Sequence, residues 1–522
     1  MAPGRTIRAV ATVIAVCAVT ATGLAGVAES APVGGTTCEV SALRLTPADG
    51  VVTAAAVNDT GTFTPPGQPK VTGLPAFCDV TVSKPDGAGN HIGVEVWLPV
   101  NGWNGRFQGV GGGGYVCGIN YAELVTGLRQ GYAAASTDCG VPDNPGDGSF
   151  ALTKAGKLNW PLITDFASGG IHDMTVTGKA VTDAYYRSAP KYAYFNGCST
   201  GGREGLMEAQ RFPSDYNGIV SGAPAINWTR FIPAELWPQL VMKQASDFLP
   251  ACKQQAFTAA VTLACDGLDG VTDGVIANLA ACRWDAKELV GTATPCGTIT
   301  ATDAKVMDQI WQGPPQWFGL EPGASLDGIA ATVTSSDGVT SGRPFPLELS
   351  YLGTWVQQNP NWDWTTLATQ QFDGLIARSV AEFSPTIATD DPNLSAFRGH
   401  GGKILVWHGM SDQLIFPQGT VDYYQRVRRT MGAGTSSFAR LFLAPGAQHC
   451  VSAAGPAPAD PLAAVVSWVE HGVAPSSIPA TMTTPAGATV SRPLCAYPKV
   501  ARYDGTGDPT AATSFTCANS YA

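Results

Sequence analysis

Charge is scarce in this chain. Only 14% of its residues are charged, and 41 acids against 31 bases leave a formal net charge of −10. No stretch gathers Lys and Arg into a stripe, which excludes a nucleic-acid partner held through its phosphates. Long apolar runs are also scarce. Beyond residue 31 none could cross a bilayer, so no membrane attachment is expected once the N-terminal segment is removed. No internal repeat is present. Histidine is rare: His91, His172, His400, His408, His449 and His471 are the whole supply, so imidazole chemistry has six candidates. What the 522 residues do hold is 44% hydrophobic residues with many Gly, Pro and Trp, the composition of a globular, loop-rich enzyme.

Residues 1–31 have the pattern of a secretory signal peptide. Arg5 and Arg8 precede an apolar, small-residue run from Ala9 to Val27. Gly26-Val27-Ala28 offers a small-x-small cleavage site, with Ala31 as a second. No small residue precedes Cys17, which argues against a lipidated cysteine. Cleavage removes Cys17 and leaves 13 − 1 = 12 cysteines, an even number that in a secreted chain implies disulfides.

Short apolar runs alternate with helical periods. Strands are expected at His91–Val100, Arg106–Gly111, Tyr132–Thr137, 192–196, Gly218–Ser221, Lys403–Trp407 and Arg440–Leu443, with a helix over 168–187. This rhythm indicates an α/β fold around a parallel sheet. Residues 32–70 read as a surface segment, and the tail from 475 is rich in Pro, Thr and Ala. Between 228 and 395 the rhythm is lost in a stretch rich in Trp, Pro, Gly and Asp. The expected division is a catalytic domain of 32–227 and 396–522, interrupted by a lid domain at 228–395.

The strand at 192–196 runs into Gly197-Cys198-Ser199-Thr200-Gly201, and a helical pattern follows at once. Strand, G-x-S-x-G and helix together form the context of a nucleophile elbow, with Ser199 as nucleophile. Among the histidines, His449 lies in a loop just past an apolar strand, which suits a base reaching over a sheet. His408, closing the previous strand, is its rival. Asp412 lies just past that strand end, where α/β enzymes gather functional groups, and is favoured as the acid over Asp422 in a helical stretch. Ser199, Asp412, His449 is the chain order of α/β-hydrolases. An oxyanion hole would take one N–H from Thr200 and one from the glycine run 111–114, with Gly112 favoured and its neighbours open. Cys198 precedes the serine and Cys450 follows the histidine, so a bridge between them would join nucleophile to base.

A second constellation spans Cys265 to Val275, with Cys282 beyond it. Asp266, Asp269 and Asp273, with the carbonyls of Val271 and Val275, offer an oxygen cage for Ca²⁺. The spacing is not that of an EF-hand, and no glutamate closes it. A solvated acidic turn is the competing reading.

These motifs resemble the tannase and feruloyl esterase family, which also includes mono(2-hydroxyethyl) terephthalate hydrolase. The likeness is specific in Gly197–Arg203, Phe212-Pro213 to Ala223-Pro224, the 265–275 loop and His449-Cys450. It implies an α/β-hydrolase fold with a large inserted lid, a Ser199/Asp412/His449 triad and structural calcium in the lid. It also implies the pairs Cys38–Cys78, Cys198–Cys450, Cys265–Cys282 and Cys495–Cys517, and gives no pattern for Cys117, Cys139, Cys252 and Cys296. Gln448 stands where a glycine is expected. The implied activity is that of a secreted serine esterase acting on a small aromatic or plant cell-wall phenolic ester of the feruloyl type. A gallate esterase (tannase) and a terephthalate monoester hydrolase are the alternatives within the family, and a calcium-dependent binding module without catalysis is the alternative outside it. Phe231, Trp237, Trp311, Trp317, Phe318 and Trp355 are candidates for stacking on a phenolic ring, although such residues also serve as lid core. Arg343 and Arg378 are candidates for a substrate carboxylate.

Overall fold

The computed structural model describes residues 36–521; the expected signal peptide, residues 1–31, lies outside them. Nine strands form one sheet: β1 Val51–Asn58, β2 Phe77–Pro85, β3 His91–Pro99, β4 Arg106–Val110, β5 Ala133–Thr137, β6 Tyr192–Cys198, β7 Gly218–Gly222, β8 Lys403–Gly409 and β9 Ala439–Ala444. The spatial order is β1-β2-β3-β5-β4-β6-β7-β8-β9. From β5 to β9 every neighbouring pair is parallel. The β1–β2, β2–β3 and β3–β5 pairs are antiparallel. The sheet is therefore mixed, and β1 lies in a segment expected to be surface. Its Ala-rich sequence buries only Val52, as suits an edge strand with little apolar signal.

Side chains alternate across a strand, and here the alternation separates two cores. Phe195, Ile219, Ile404, Val406 and Leu441 enter one buried cluster. Tyr194, Val220, Leu405, Trp407 and Phe442 enter another, with Val465 of the helix Pro461–His471 and Ile478 and Leu494 of the tail. Both faces are covered, which is why β5 and β7 are buried along their whole length. The tail is a packed antiparallel hairpin, Ser477–Thr483 with Thr489–Cys495.

The chain between β7 and β8 contributes no strand to this sheet. Its main helices are Trp228–Glu235, Trp237–Ala245, Ala251–Cys265, Ala301–Gln312 and Phe372–Ile387. It is not a separate body, because its apolar residues share one continuous cluster with the sheet. Trp228 and Trp355 from the insert meet Tyr115, Phe150 and Phe166 from the catalytic part, with ring centroids 5.7–6.3 Å apart in the linking pairs, and Tyr351 and Phe383 pack against Trp355 within the insert. Burying such rings yields about 4–6 kcal/mol each in gross transfer energy. A motion separating insert from sheet would have to break this wedge.

Candidate active site

The parallel strands end on one edge, and there β6 turns into the helix Thr200–Arg211. Ser199 makes the turn itself, with φ 65° and ψ −124°, a strained conformation for a residue with a side chain. Three backbone bonds hold it. Ser199 N–H donates to Gly222 O at 3.0 Å, and Ser199 O accepts from Arg203 and Ala225, each at 3.0 Å. The glycines serve close approach rather than the turn. A Cβ on Gly197 would lie 2.6 Å from the Gly201 backbone, and one on Gly202 would lie 2.2 Å from Gly222 O. Arg203 is fully buried; it donates to Ala167 O and Phe166 O and lies over the Phe166 and Trp228 rings. It thus ties the elbow helix to the aromatic wedge, a role that the sequence does not announce.

Cys198 ends β6 and is bonded to Cys450, with Cα atoms 6.0 Å apart. This places the loop carrying His449 over the elbow. His449 Nδ1 lies 2.7 Å from Asp412 Oδ2, and its backbone N–H donates to Gln413 Oε1 at 3.1 Å. The His449 side chain keeps 13% exposure while Asp412 has none. Asp412 Oδ1 accepts the amides of Leu414 and Ile415, each at 2.9 Å. Burial alone would raise the Asp412 carboxyl; the His449 charge and the hydrogen bonds from His408 and His449 outweigh it and hold the group well below the usual carboxylate range. Asp422, the alternative acid, is instead in an ion pair with Arg426 on the helix Pro417–Met431. His408, the rival base, is sealed behind Asp412 with no exposure. No Ser199–His449 hydrogen bond is formed among the described residues.

The expected Gly112 donor requires correction. Its N–H donates to Glu204 Oε2 at 3.0 Å, because Glu204 is fully buried and needs donors. Burial pushes the Glu204 carboxyl up to about 7, while Arg203 and the Gly112 amide pull it down. Gly113 N–H donates to Val116 O at 2.8 Å. Gly114 is the neighbour whose N–H has no acceptor among the described residues, and its carbonyl accepts the Thr200 hydroxyl at 2.8 Å. Thr200 opens its helix, so its own N–H has no intrahelical acceptor.

Comparison with known proteins decides the family. The model of the tannase and feruloyl esterase family matches residues 78–341 and 347–518. A probable feruloyl esterase of Arthroderma benhamiae is 41% identical over 476 residues, 88% of each chain. The chain belongs to the tannase and feruloyl esterase family. It is a carboxylic ester hydrolase with the α/β-hydrolase fold. Among solved structures, the tannin acyl hydrolase of Aspergillus niger has a TM-score of 0.81 at 27% identity, covering 92% of this chain and 93% of its own. Feruloyl esterase B of Aspergillus oryzae has the same score and identity, covering 92% and 98%.

Beyond the elbow bridge, the esterase carries the pairs Cys38–Cys78, Cys265–Cys282 and Cys495–Cys517. The four cysteines left open pair as Cys117–Cys139 and Cys252–Cys296. The candidate calcium loop is pinned by Cys265–Cys282 and turned by Gly270 and Gly274 at φ 92° and 82°. Its donor set fits a hard cation in two respects. The Val271 and Val275 carbonyls accept no hydrogen bond among the described residues. The Asp269 carboxyl is pushed up to about 6 by burial and the charges of Asp273 and Asp266, despite the Val271 amide. The carboxylates do not converge, however. Asp266 accepts the amides of Asp273, Gly274 and Val275, and Asp273 pairs with Arg492 of the tail at 2.6 Å. The loop also touches the His449 loop: a Cβ on Gly446 would lie 2.8 Å from Val275 Cγ2.

Several ligand-contact candidates fall elsewhere in the esterase. Phe231 and Trp355 are buried core. Trp237, Trp311, Trp317 and Phe318 are half-buried against that core, with Trp237 Nε1 donating to Gln309 O. Arg343 is exposed and Arg378 sits in a surface i,i+4 pair with Glu382. A cavity of about 530 Å³ lies behind Met410 and Pro445, but its lining includes none of Ser199, Asp412 and His449.

Proposed function

We propose that this esterase is a secreted serine hydrolase that cleaves phenolic carboxylic esters of the feruloyl type through an acyl-enzyme. The observation that carries the reading is the 2.7 Å Asp412–His449 pair, on a loop bonded covalently to the strand that presents Ser199. Because Asp412 accepts the Nδ1 hydrogen, the free lone pair of His449 lies on Nε2. Ser199 Oγ attacks the ester carbonyl while Nε2 takes its proton, and the carbonyl oxygen becomes an oxyanion held by the N–H groups of Thr200 and Gly114. His449 then protonates the leaving alcohol, and the C–O bond breaks. Water, deprotonated by His449, repeats the attack and releases the aromatic acid and Ser199.

A neutral phenolic ester is favoured over a terephthalate monoester by the position of the two candidate cations, since Arg343 is exposed and Arg378 is paired on the surface. The names of the relatives, feruloyl esterase and tannin acyl hydrolase, support the phenolic class. The leader pattern and six disulfides support secretion. Asp266, Asp269 and Asp273, with the Val271 and Val275 carbonyls, would hold a structural Ca²⁺, which neutralises the acidic loop and takes no part in the chemistry.

The test is a set of initial rates on methyl ferulate, methyl gallate and mono(2-hydroxyethyl) terephthalate, for the wild type and Ser199→Ala. Ferulate should be fastest and the variant inactive on all three. A folded Ser199→Ala protein retaining more than a few per cent of the rate would remove Ser199 as nucleophile; a faster terephthalate reaction would overturn the substrate class.

A further inference from the structure

His408 is wholly buried at the end of β8. Its Nε2 lies 3.1 Å from Asp412 Oδ2 and 3.2 Å from Ile415 O. Both neighbours are acceptors, so Nε2 carries the hydrogen. Its Nδ1 lies 2.8 Å from Thr420 Oγ1 on the helix Pro417–Met431. Asp412 thus receives four N–H groups: the Leu414 and Ile415 amides on Oδ1 and two imidazoles on Oδ2. One imidazole, that of His449, keeps an exposed edge. The other cannot reach solvent.

We infer that His408 is a positioning residue of the hydrolysis: its Nε2–H fixes the Asp412 carboxylate and shares its charge, and so sets how strongly Asp412 raises the basicity of His449. The inference rests on the proposed triad. A structural histidine filling space would stabilise the fold but would not couple to the titration of the base. The Nε2–H of His408 remains a donor throughout the cycle, so no proton leaves it; protons move only between Ser199, His449, the leaving alcohol and water.

The sign of the effect follows from charge sharing. Without the His408 donor, the Asp412 charge falls more fully on His449 and favours the imidazolium. A higher pH is then needed to free the base, and the acid limb of kcat/KM against pH moves upward. Other acids face this pair from the insert. Glu235, on the helix Trp228–Glu235, feels Glu348 and Asp412, and burial pushes the Glu235 and Glu348 carboxyls well above their ordinary range. The side chains that meet Asp412 Oδ2 are the two imidazoles, His408 and His449.

The experiment compares His408→Gln with His408→Asn. The Gln amide reaches the Nε2 position and keeps a donor for Asp412; the shorter Asn amide reaches only the Nδ1 position, beside Thr420. Organophosphate titration of Ser199 counts competent sites in each variant, and rates on methyl ferulate are taken per site. For His408→Asn the acid limb should move up by about one pH unit, the size expected for losing a hydrogen bond to a charged group, with kcat falling roughly tenfold. For His408→Gln the limb should stay near that of the wild type. Equal limbs in both variants and the wild type, or equal shifts in both variants, would overturn the inference. Stoichiometric labelling of Ser199 alongside such a result confines the failure to His408; loss of labelling in the wild type would instead remove the triad.

Discussion

Replacing Cys198 and Cys450 together by Ala should damage the rate as well as the fold. The bridge closes a loop with a sequence separation of 252. The chain-entropy relation gives about 5 kcal/mol for such a loop at 25 °C. The nested Cys252–Cys296 bridge shortens the free loop to roughly 210 residues, which changes this by only about 0.2 kcal/mol, because the dependence is logarithmic. A loss near 5 kcal/mol is a large share of a typical stability of about 5–15 kcal/mol, so the assay belongs well below the melting transition. The rate effect is separate. Cys198 adjoins Ser199 and Cys450 adjoins His449, and a misplacement of about 1 Å at reacting groups costs about a hundredfold. The double variant, folded by circular dichroism, should therefore show kcat on methyl ferulate lowered by one to two orders of magnitude. A folded variant with unchanged kcat would refute the positioning argument and leave the bridge a stabilising role only.

Asp412→Asn keeps the shape of the acid but offers an N–H where His449 needs an acceptor; kcat should fall about 10³–10⁴-fold, measured on methyl ferulate. Glu204 carries a carboxyl raised from 4.5 to about 7, so between those values the folded state holds a proton that the unfolded state has lost, and stability falls as pH rises through this window. Glu204→Gln should remove that slope, on the order of 3 kcal/mol at most, visible as closer urea midpoints at acid and neutral pH. Glu204→Ala should lower kcat with little change in KM, because the Gly112 amide loses its acceptor and the glycine loop its tie to the elbow helix. Calcium at a hundred times its dissociation constant would stabilise the protein by about 2.7 kcal/mol; chelation should lower the melting temperature and Asp269→Asn should abolish that response, whereas an unchanged melting temperature with no metal by elemental analysis would favour the acidic-turn reading.

Local pattern made much of this protein legible. The elbow was readable because strand, glycine spacing, serine and helix all lie within about ten residues, and the inner strands because short apolar runs betray burial on both faces. The edge strand β1 escaped because its Ala-rich sequence buries one side chain and carries no alternation. The Gly112 amide is taken by the buried carboxyl of Glu204, 92 positions away, a partner that no local pattern marks.

The sequence by itself determined the chemistry at hand: a serine in a strand-to-helix turn, an acid and an imidazole in hydrolase order, and cysteines beside two of them. Only the tertiary structure decided what surrounds them. It sealed His408 behind Asp412 rather than against substrate, folded the insert into the same core as the sheet, and laid the acidic loop, distant in sequence, against the loop of His449. The physical reason is that hydrogen-bond partners and contacts of buried groups are chosen by packing among segments remote along the chain, while local sequence constrains only the turn, the strand and the residue that each can present.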